Sequence, residues 1–152
     1  MPQKITPCLW CDDRIADAAD YYVRIFKGKI LDTSHYPDGR VLVMHVDILG
    51  TTFMLLNGGA DYKFTEATSF YVNCKDQAEV DHYWNALSTD GGQEGPCGWL
   101  KDKYGLSWQI VPDAMQHTIG GPDRAGSARA LAAMMKMKKL VVADLEKAYA
   151  GK

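Results

Sequence analysis

Two stretches of the chain repeat apolar residues at helical spacing. Ile15, Ala18, Ala19, Tyr22 and Phe26 follow the i, i+3, i+4, i+7 rule. Asp13 is positioned to cap this helix and Gly28 to stop it. Val80, Tyr83, Trp84 and Leu87 form a second stripe, with Asp76 as its cap and Gly91-Gly92 as its stop. Between and after the helices the period changes to two. Arg40 to Leu49 puts Leu42, Met44, Val46 and Ile48 on one side and Val43, His45 and Asp47 on the other. Extended segments are also expected at Ile5–Cys11, Lys29–Tyr36, Thr51–Asn57, Ser69–Cys74, Trp99–Lys103 and Leu106–Val111. Pro37-Asp38-Gly39, Gly50 and Gly105 mark turns.

These elements form a repeat. Each helix follows a strand, and the junctions Cys11-Asp12-Asp13 and Cys74-Lys75-Asp76 lie 63 residues apart. The turn glycines Gly50 and Gly105 lie 55 apart, so the second copy lost about eight residues after its helix. The missing piece is the second strand, reduced to Gly91–Pro96. The plan is strand, helix, three strands, made twice: an α+β protein of two tandem βαβββ modules, module one at 4–58 and module two at 67–112. A small sheet covered by one helix keeps a bare face, and two copies side by side can curl into a cup that shares it.

A helical extension at 122–150 lies outside the repeat. Asp123 begins an Ala- and Met-rich helix carrying Ala130, Leu131, Met134 and Met137. An extended piece near Lys138–Val141 leads to a last helix, Ala143–Tyr149. A Met-rich helix needs a docking surface, either its own sheet or a second subunit. A homodimer is the expectation.

Length and charge narrow the function. At 152 residues the chain is one domain of ordinary size. Lys plus Arg is 17 against 19 for Asp plus Glu, with no basic stripe, so no nucleic-acid partner is expected. No apolar run reaches membrane-helix length, and Met1–Thr6 has no signal-peptide character, so a cytoplasmic location is expected. Cys8 and Cys11 form a CxxC, but three residues apart on a strand they face opposite ways. They read as core thiols, as does Cys74, whereas Cys97 in Gly95-Pro96-Cys97-Gly98 reads as a small residue in a tight turn.

Longer words in the sequence carry a resemblance. They are Asn57-Gly58-Gly59, Ser69-Phe70-Tyr71-Val72-Asn73-Cys74, Asp76-Gln77-Ala78-Glu79-Val80-Asp81, Tyr83-Trp84, and the run from Cys97 to Pro112, CGWLKDKYGLSWQIVP. With the tandem βαβββ plan they resemble the glyoxalase/bleomycin-resistance/extradiol-dioxygenase superfamily, also called vicinal oxygen chelate. Within it they resemble the PhnB-like group that carries the label 3-demethylubiquinone-9 3-methyltransferase domain. The resemblance spans about residues 4 to 150 and implies a single such domain over 1–152, with the modules forming a cupped mixed sheet.

Many relatives hold a divalent metal on the first and last strands of each module, through His and Glu. The resemblance places the second module's His and Glu positions on Ser69 and Gln109. The repeat offsets carry them to Thr6 and Met54. None is a His, carboxylate or thiolate, so no metal and no cofactor are expected. The same strand faces bring Cys8, Trp10 and Tyr71 beside them. With Trp99 these residues define a neutral, aromatic lining for a small, partly apolar organic ligand.

Catalysis is left open. His45 and Gln109 are the candidate catalytic groups, His45 with Asp47 two residues along the same face. A metal-dependent glyoxalase- or dioxygenase-like enzyme is the alternative, as is the methyltransferase activity of the family label. Against the latter, no G-x-G-x-x-G follows a strand.

Overall fold

The structure, a computed structural model, describes residues 3–152. Met1 and Pro2, the start of the segment read above for a signal peptide, lie outside the described residues. The chain divides into two compact units, Met1–Phe64 and Thr65–Lys152.

The first unit contains β1 (Cys8–Cys11), α1 (Ile15–Phe26), β2 (Lys29–His35), β3 (Val41–Ile48) and β4 (Thr51–Asn57). They form a four-stranded sheet in the order β1-β4-β3-β2. β1 runs parallel to β4 and the other pairs are antiparallel. One face is the core: Met44, Val46, Ile48, Phe53 and Leu55 are buried, as are Ile15, Ala18, Tyr22, Ile25 and Phe26 on α1. Each Met, Val, Ile, Leu or Phe side chain among them contributes about 1.5–3 kcal/mol on leaving water. The alternation read from Arg40–Leu49 is therefore the physical division of β3 into a packed and an open face. Leu49 and Gly50 both take positive φ, 52° and 80°, the left-handed pair a two-residue hairpin turn requires.

The ends of α1 differ from expectation. Asp13 does not cap it: the N-cap is Arg14, without a side-chain capping bond. Asp12 does the local work, its carboxylate accepting the Arg14 N–H at 2.9 Å and its carbonyl the Ile15 N–H at 3.1 Å. Asp13 instead accepts from the Asn57 amide at 3.0 Å. Asn57 also donates to the Val41 carbonyl at 3.0 Å, which satisfies a buried polar side chain at the end of β4. At the C-terminus Lys27, not Gly28, takes the left-handed position, with φ 51°. β1 begins at Cys8 rather than Ile5, so Thr6 precedes the sheet.

The second unit contains β5 (Ser69–Cys74), α2 (Gln77–Ser88), β6 (Gln93–Glu94), β7 (Trp99–Lys101) and β8 (Ser107–Pro112), then a 3-10 turn (Asp113–Gln116), α3 (Arg124–Met134) and α4 (Val142–Ala150). Its sheet order, β5-β8-β7-β6, repeats that of the first unit, again with one parallel pair, β5 with β8. Asp76 caps α2 as expected. Its carboxylate accepts Glu79 N–H at 3.0 Å while Glu79 reaches back to Lys75 N–H at 2.8 Å, satisfying two donors reciprocally. Val80, Tyr83, Trp84 and Leu87 are all buried on the face turned to the sheet. The shortened second strand survives as the two residues of β6.

Between β7 and β8 the chain turns around Asp102, which is 2% exposed. One carboxylate oxygen accepts Tyr104 N–H at 2.8 Å and Leu106 N–H at 3.1 Å, and the other accepts the Trp108 indole N–H at 2.9 Å. The tail docks on this same unit. Cys97 and Gly98 donate to the carbonyls of Met137 and Lys138 at 2.9 and 2.8 Å. Leu140 is fully buried. The Gln77 side chain of α2 donates to Leu140 O at 3.1 Å and accepts from Val142 N–H at 2.8 Å, standing in for a strand partner.

Cys74 sits fully buried in β5. Burial pushes its thiol from an ordinary 9.0 up to about 12. The folded protein thus keeps a proton that the unfolded chain releases, so stability falls as pH rises from about 9 toward 12. At pH 10 the expected loss is about 1.4 kcal/mol. Urea midpoints at pH 8 and pH 10 check this, the Cys74→Ala variant losing less over that interval than the native chain. Equal losses in both proteins would refute the assignment.

Candidate functional site

In the second unit, residues on the sheet face away from α2 fall into two cross-strand rows. Tyr71, Gln109 and Trp99 are register partners across β5, β8 and β7, and so are Ser69, Ser107 and Lys101, with Gln93 of β6 beyond. Opposite residues on one face have their Cβ atoms about 5 Å apart, so these side chains are neighbours. Gln109 and Ser69, the two positions carried over for this module, meet directly: Gln109 Nε2 donates to Ser69 Oγ at 3.0 Å. Tyr71 is half exposed. Burial, with Asp113 contributing next, pushes its phenol up and keeps it neutral.

Beside these rows lies an open pocket of about 440 Å3, lined among others by Glu66, Gln93, Pro96, Trp99, Lys101 and Ser107. That volume is ordinary for a small-molecule site. Lys101 forms an ion pair with Glu66, which holds the Glu66 carboxyl below its usual range. Glu94 is engaged elsewhere, accepting the Trp84 indole N–H at 3.0 Å and facing Lys138 at 3.8 Å.

In the first unit the open face carries a comparable row. Cys8, Met54, His45 and Asp32 are successive register partners across β1, β4, β3 and β2. His45 Nδ1 lies 2.8 Å from Asp32 Oδ1. The partner of His45 is therefore Asp32 and not Asp47, whose carboxylate accepts Gly50 N–H at 3.1 Å. A register shift between Ile30 and Asp32 causes this: the extra residue, Leu31, slides the carboxylate opposite the imidazole. Burial raises the Cys8 thiol.

Thr6 is exposed and stands ahead of β1. Trp10 is used locally: its indole N–H donates to Gly59 O at 2.9 Å, and Tyr62 meets its ring edge-on at 4.9 Å. A Cβ on Gly58 would come within 2.2 Å of the Trp10 ring, which explains the glycine in Asn57-Gly58-Gly59. Alternation along β8 already puts Ser107 on the face of Gln109; the sequence reading missed Lys101, Glu66 and Asp32. Lys101 shares the face of Trp99 by the same alternation, a signal that was available. Glu66 sits in a loop and Asp32 depends on the bulge.

The residues at the family's metal corners do not fit a hard divalent cation. Met54 offers a thioether, Ser69 a neutral hydroxyl and Gln109 a neutral amide already bonded to Ser69. Among the described residues, no three of His, Cys, Asp and Glu gather as a metal-binding group.

Two βαβββ sheets of the same strand order, followed by a helical region, define a fold of the vicinal oxygen chelate type. The chain belongs to the family described as 3-demethylubiquinone-9 3-methyltransferase, whose model matches residues 3–111. No curated protein gives a match. Among solved structures it is similar to a putative 3-demethylubiquinone-9 3-methyltransferase, PhnB protein, from Bacillus cereus. That likeness has 29% identity and TM-score 0.65, over 72% of this chain and 99% of the other. A protein from Pseudomonas aeruginosa gives 16% identity and TM-score 0.61, over 73% and 98%. A fosfomycin resistance protein, FosX, from Listeria monocytogenes, complexed with Mn(II) and 1S,2S-dihydroxypropylphosphonic acid, gives 15% and 0.55, over 71% and 90%. The last two show the fold alone. No helix among the described residues is long and apolar enough to cross a membrane.

Proposed function

We propose that the chain binds a small organic molecule on the open face of its second unit, without a divalent metal. The observation that carries this is the Gln109–Ser69 hydrogen bond. At the positions where metal-using relatives hold His and Glu ligands, an amide and a hydroxyl satisfy each other. They are flanked by Tyr71 and Trp99 and adjoin an open pocket. Neutral polar groups among aromatic side chains orient a partly apolar ligand rather than a hard cation.

The test has two parts. Metal analysis of the purified chain is expected to return well under one equivalent. A thermal-shift screen of small aromatic and dicarbonyl compounds is expected to find stabilisers, since a ligand of the folded state raises Tm by mass action. One tightly held metal per chain would defeat the proposal.

An enzymatic reading draws on a different observation, the His45–Asp32 pair. A carboxylate on Nδ1 fixes the tautomer and leaves Nε2 to accept a proton. Turnover lost in His45→Ala would favour it. The methyl transfer in the family's name has less support, because no G-x-G-x-x-G motif follows a strand among the described residues. Self-association stays part of the proposal, supported by Leu131 and Met135, exposed apolar residues four apart near the end of α3. A monomer by sedimentation would remove that part.

A further inference from the structure

Among the described residues, two polar groups at the pocket have no hydrogen-bond partner. Ser107 is 1% exposed, and its hydroxyl has no hydrogen-bond partner among the described residues. A buried hydroxyl left unpaired is costly and calls for an explanation. Trp99 supplies the second. The indole N–H groups of Trp10, Trp84 and Trp108 all donate to protein oxygens. That of half-buried Trp99 has no such acceptor among the described residues. Trp99 and Ser107 both line the pocket. They are diagonal neighbours on one face, since Ser107 is opposite Lys101 and Trp99 lies two residues before it.

Charge narrows the occupant. Lys101 is paired with Glu66. An anion would have to displace the Glu66 carboxylate, and a cation would have to displace Lys101. Glu94 is committed to Trp84 and Lys138. The pocket is thus electrically balanced, walled by an indole and aliphatic carbon, with a hydroxyl and an indole N–H ready to donate. An aromatic ring stacks on the indole face at little entropic cost. A carbonyl oxygen gives the buried hydroxyl its missing acceptor.

We propose that this pocket selects a neutral, planar aromatic molecule bearing a carbonyl oxygen, its ring against Trp99 and its oxygen accepting from Ser107. The proposal rests on the small-molecule reading above and adds the ligand class and the residue that sets it.

Equilibrium dialysis of the full chain against three probes of one ring system tests it: 2-acetylnaphthalene, naphthalene and 2-naphthoate. The ketone is expected to bind about tenfold tighter than naphthalene, the scale of one well-made hydrogen bond. The naphthoate should bind weakest. Ser107→Ala should bring the ketone down to the level of naphthalene in the same variant. It should also raise Tm, because an unpaired buried hydroxyl is lost. Glu66→Gln should strengthen naphthoate binding about tenfold, because Lys101 then lacks its carboxylate partner. Equal binding of ketone and naphthalene, or no effect of Ser107→Ala, overturns the ligand class and leaves the binding function standing. A lowered Tm in Ser107→Ala means the hydroxyl is already engaged and overturns it equally. Failure of all three probes to bind overturns the class together with the reading on which it rests.

Discussion

Replacing Asp102 with alanine is expected to cost the second unit about 3–5 kcal/mol, the range for removing one partner from a buried charged network. The change removes the acceptor for two turn N–H groups and the Trp108 indole at once. The backbone bonds Asp102 N–H to Leu106 O and Gly105 N–H to Asp102 O, both 2.9 Å, lose the side chain that holds their loop in register. Against a total stability of about 5–15 kcal/mol for an ordinary domain, that is a large fraction. Urea unfolding followed by tryptophan emission measures it. Asp102→Asn gives a sharper check. It keeps one acceptor for the turn but presents an amide N–H to the Trp108 N–H. Adding Trp108→Phe to that variant should recover part of the loss, whereas strict additivity would show that the indole bond is not coupled to Asp102.

The second large effect is expected at Gly28. A Cβ placed there would lie 2.0 Å from the Asp47 carbonyl oxygen. That is a backbone atom of β3 that cannot swing aside. Gly28→Ala should therefore destabilise the first unit by about 3 kcal/mol, the upper end for overpacking against fixed structure. Next to it, Lys27→Gly should act in the opposite sense. Lys27 holds the left-handed position at φ 51°, which costs a side-chain-bearing residue about 1–2 kcal/mol, offset by the extra freedom glycine has when unfolded. A net gain of about 0.5 kcal/mol is expected. If Gly28→Ala were neutral and Lys27→Gly harmful, helix termination alone would account for the glycine. Denaturant midpoints of both variants distinguish the two accounts.

Gly28 also illustrates what the sequence makes legible. A glycine after an apolar helical stripe marks the helix end, and α1 ends two residues before it, at Phe26. The reason for the glycine, closeness to Asp47, belongs to the tertiary structure. The same division runs through the molecule. Thr51–Asn57 and Ser69–Cys74 are strands over the whole span that alternation marks out, because one face of each packs under a helix. β7 stops at Lys101 instead of running to Lys103, because Asp102 turns its carboxylate back onto the following loop, a local option that short acidic side chains offer. Asp13 looked like a cap because a carboxylate before a helix usually is one. Asn57, far away in sequence, claims it instead.

The site follows the same logic. Ser69, Tyr71, Gln109 and Trp99 share a face because strand alternation and the parallel register of β5 with β8 require it. The His45–Asp32 pair could not be read, since an unbulged β2 would place Leu31 where Asp32 stands. Glu66 comes to Lys101 from a loop, where no periodicity operates.

The grip of Gln77 on the segment around Leu140 has a consequence for synthesis. α2 is made some sixty residues before the stretch its side chain holds, and modules emerging from a ribosome tend to fold as units, earliest first. The first unit has all its strands by Asn57, whereas the second keeps the slot for Leu140 bare until translation has passed Val142. A chain truncated before Leu140 should expose apolar surface and recruit chaperones, and the full chain should not.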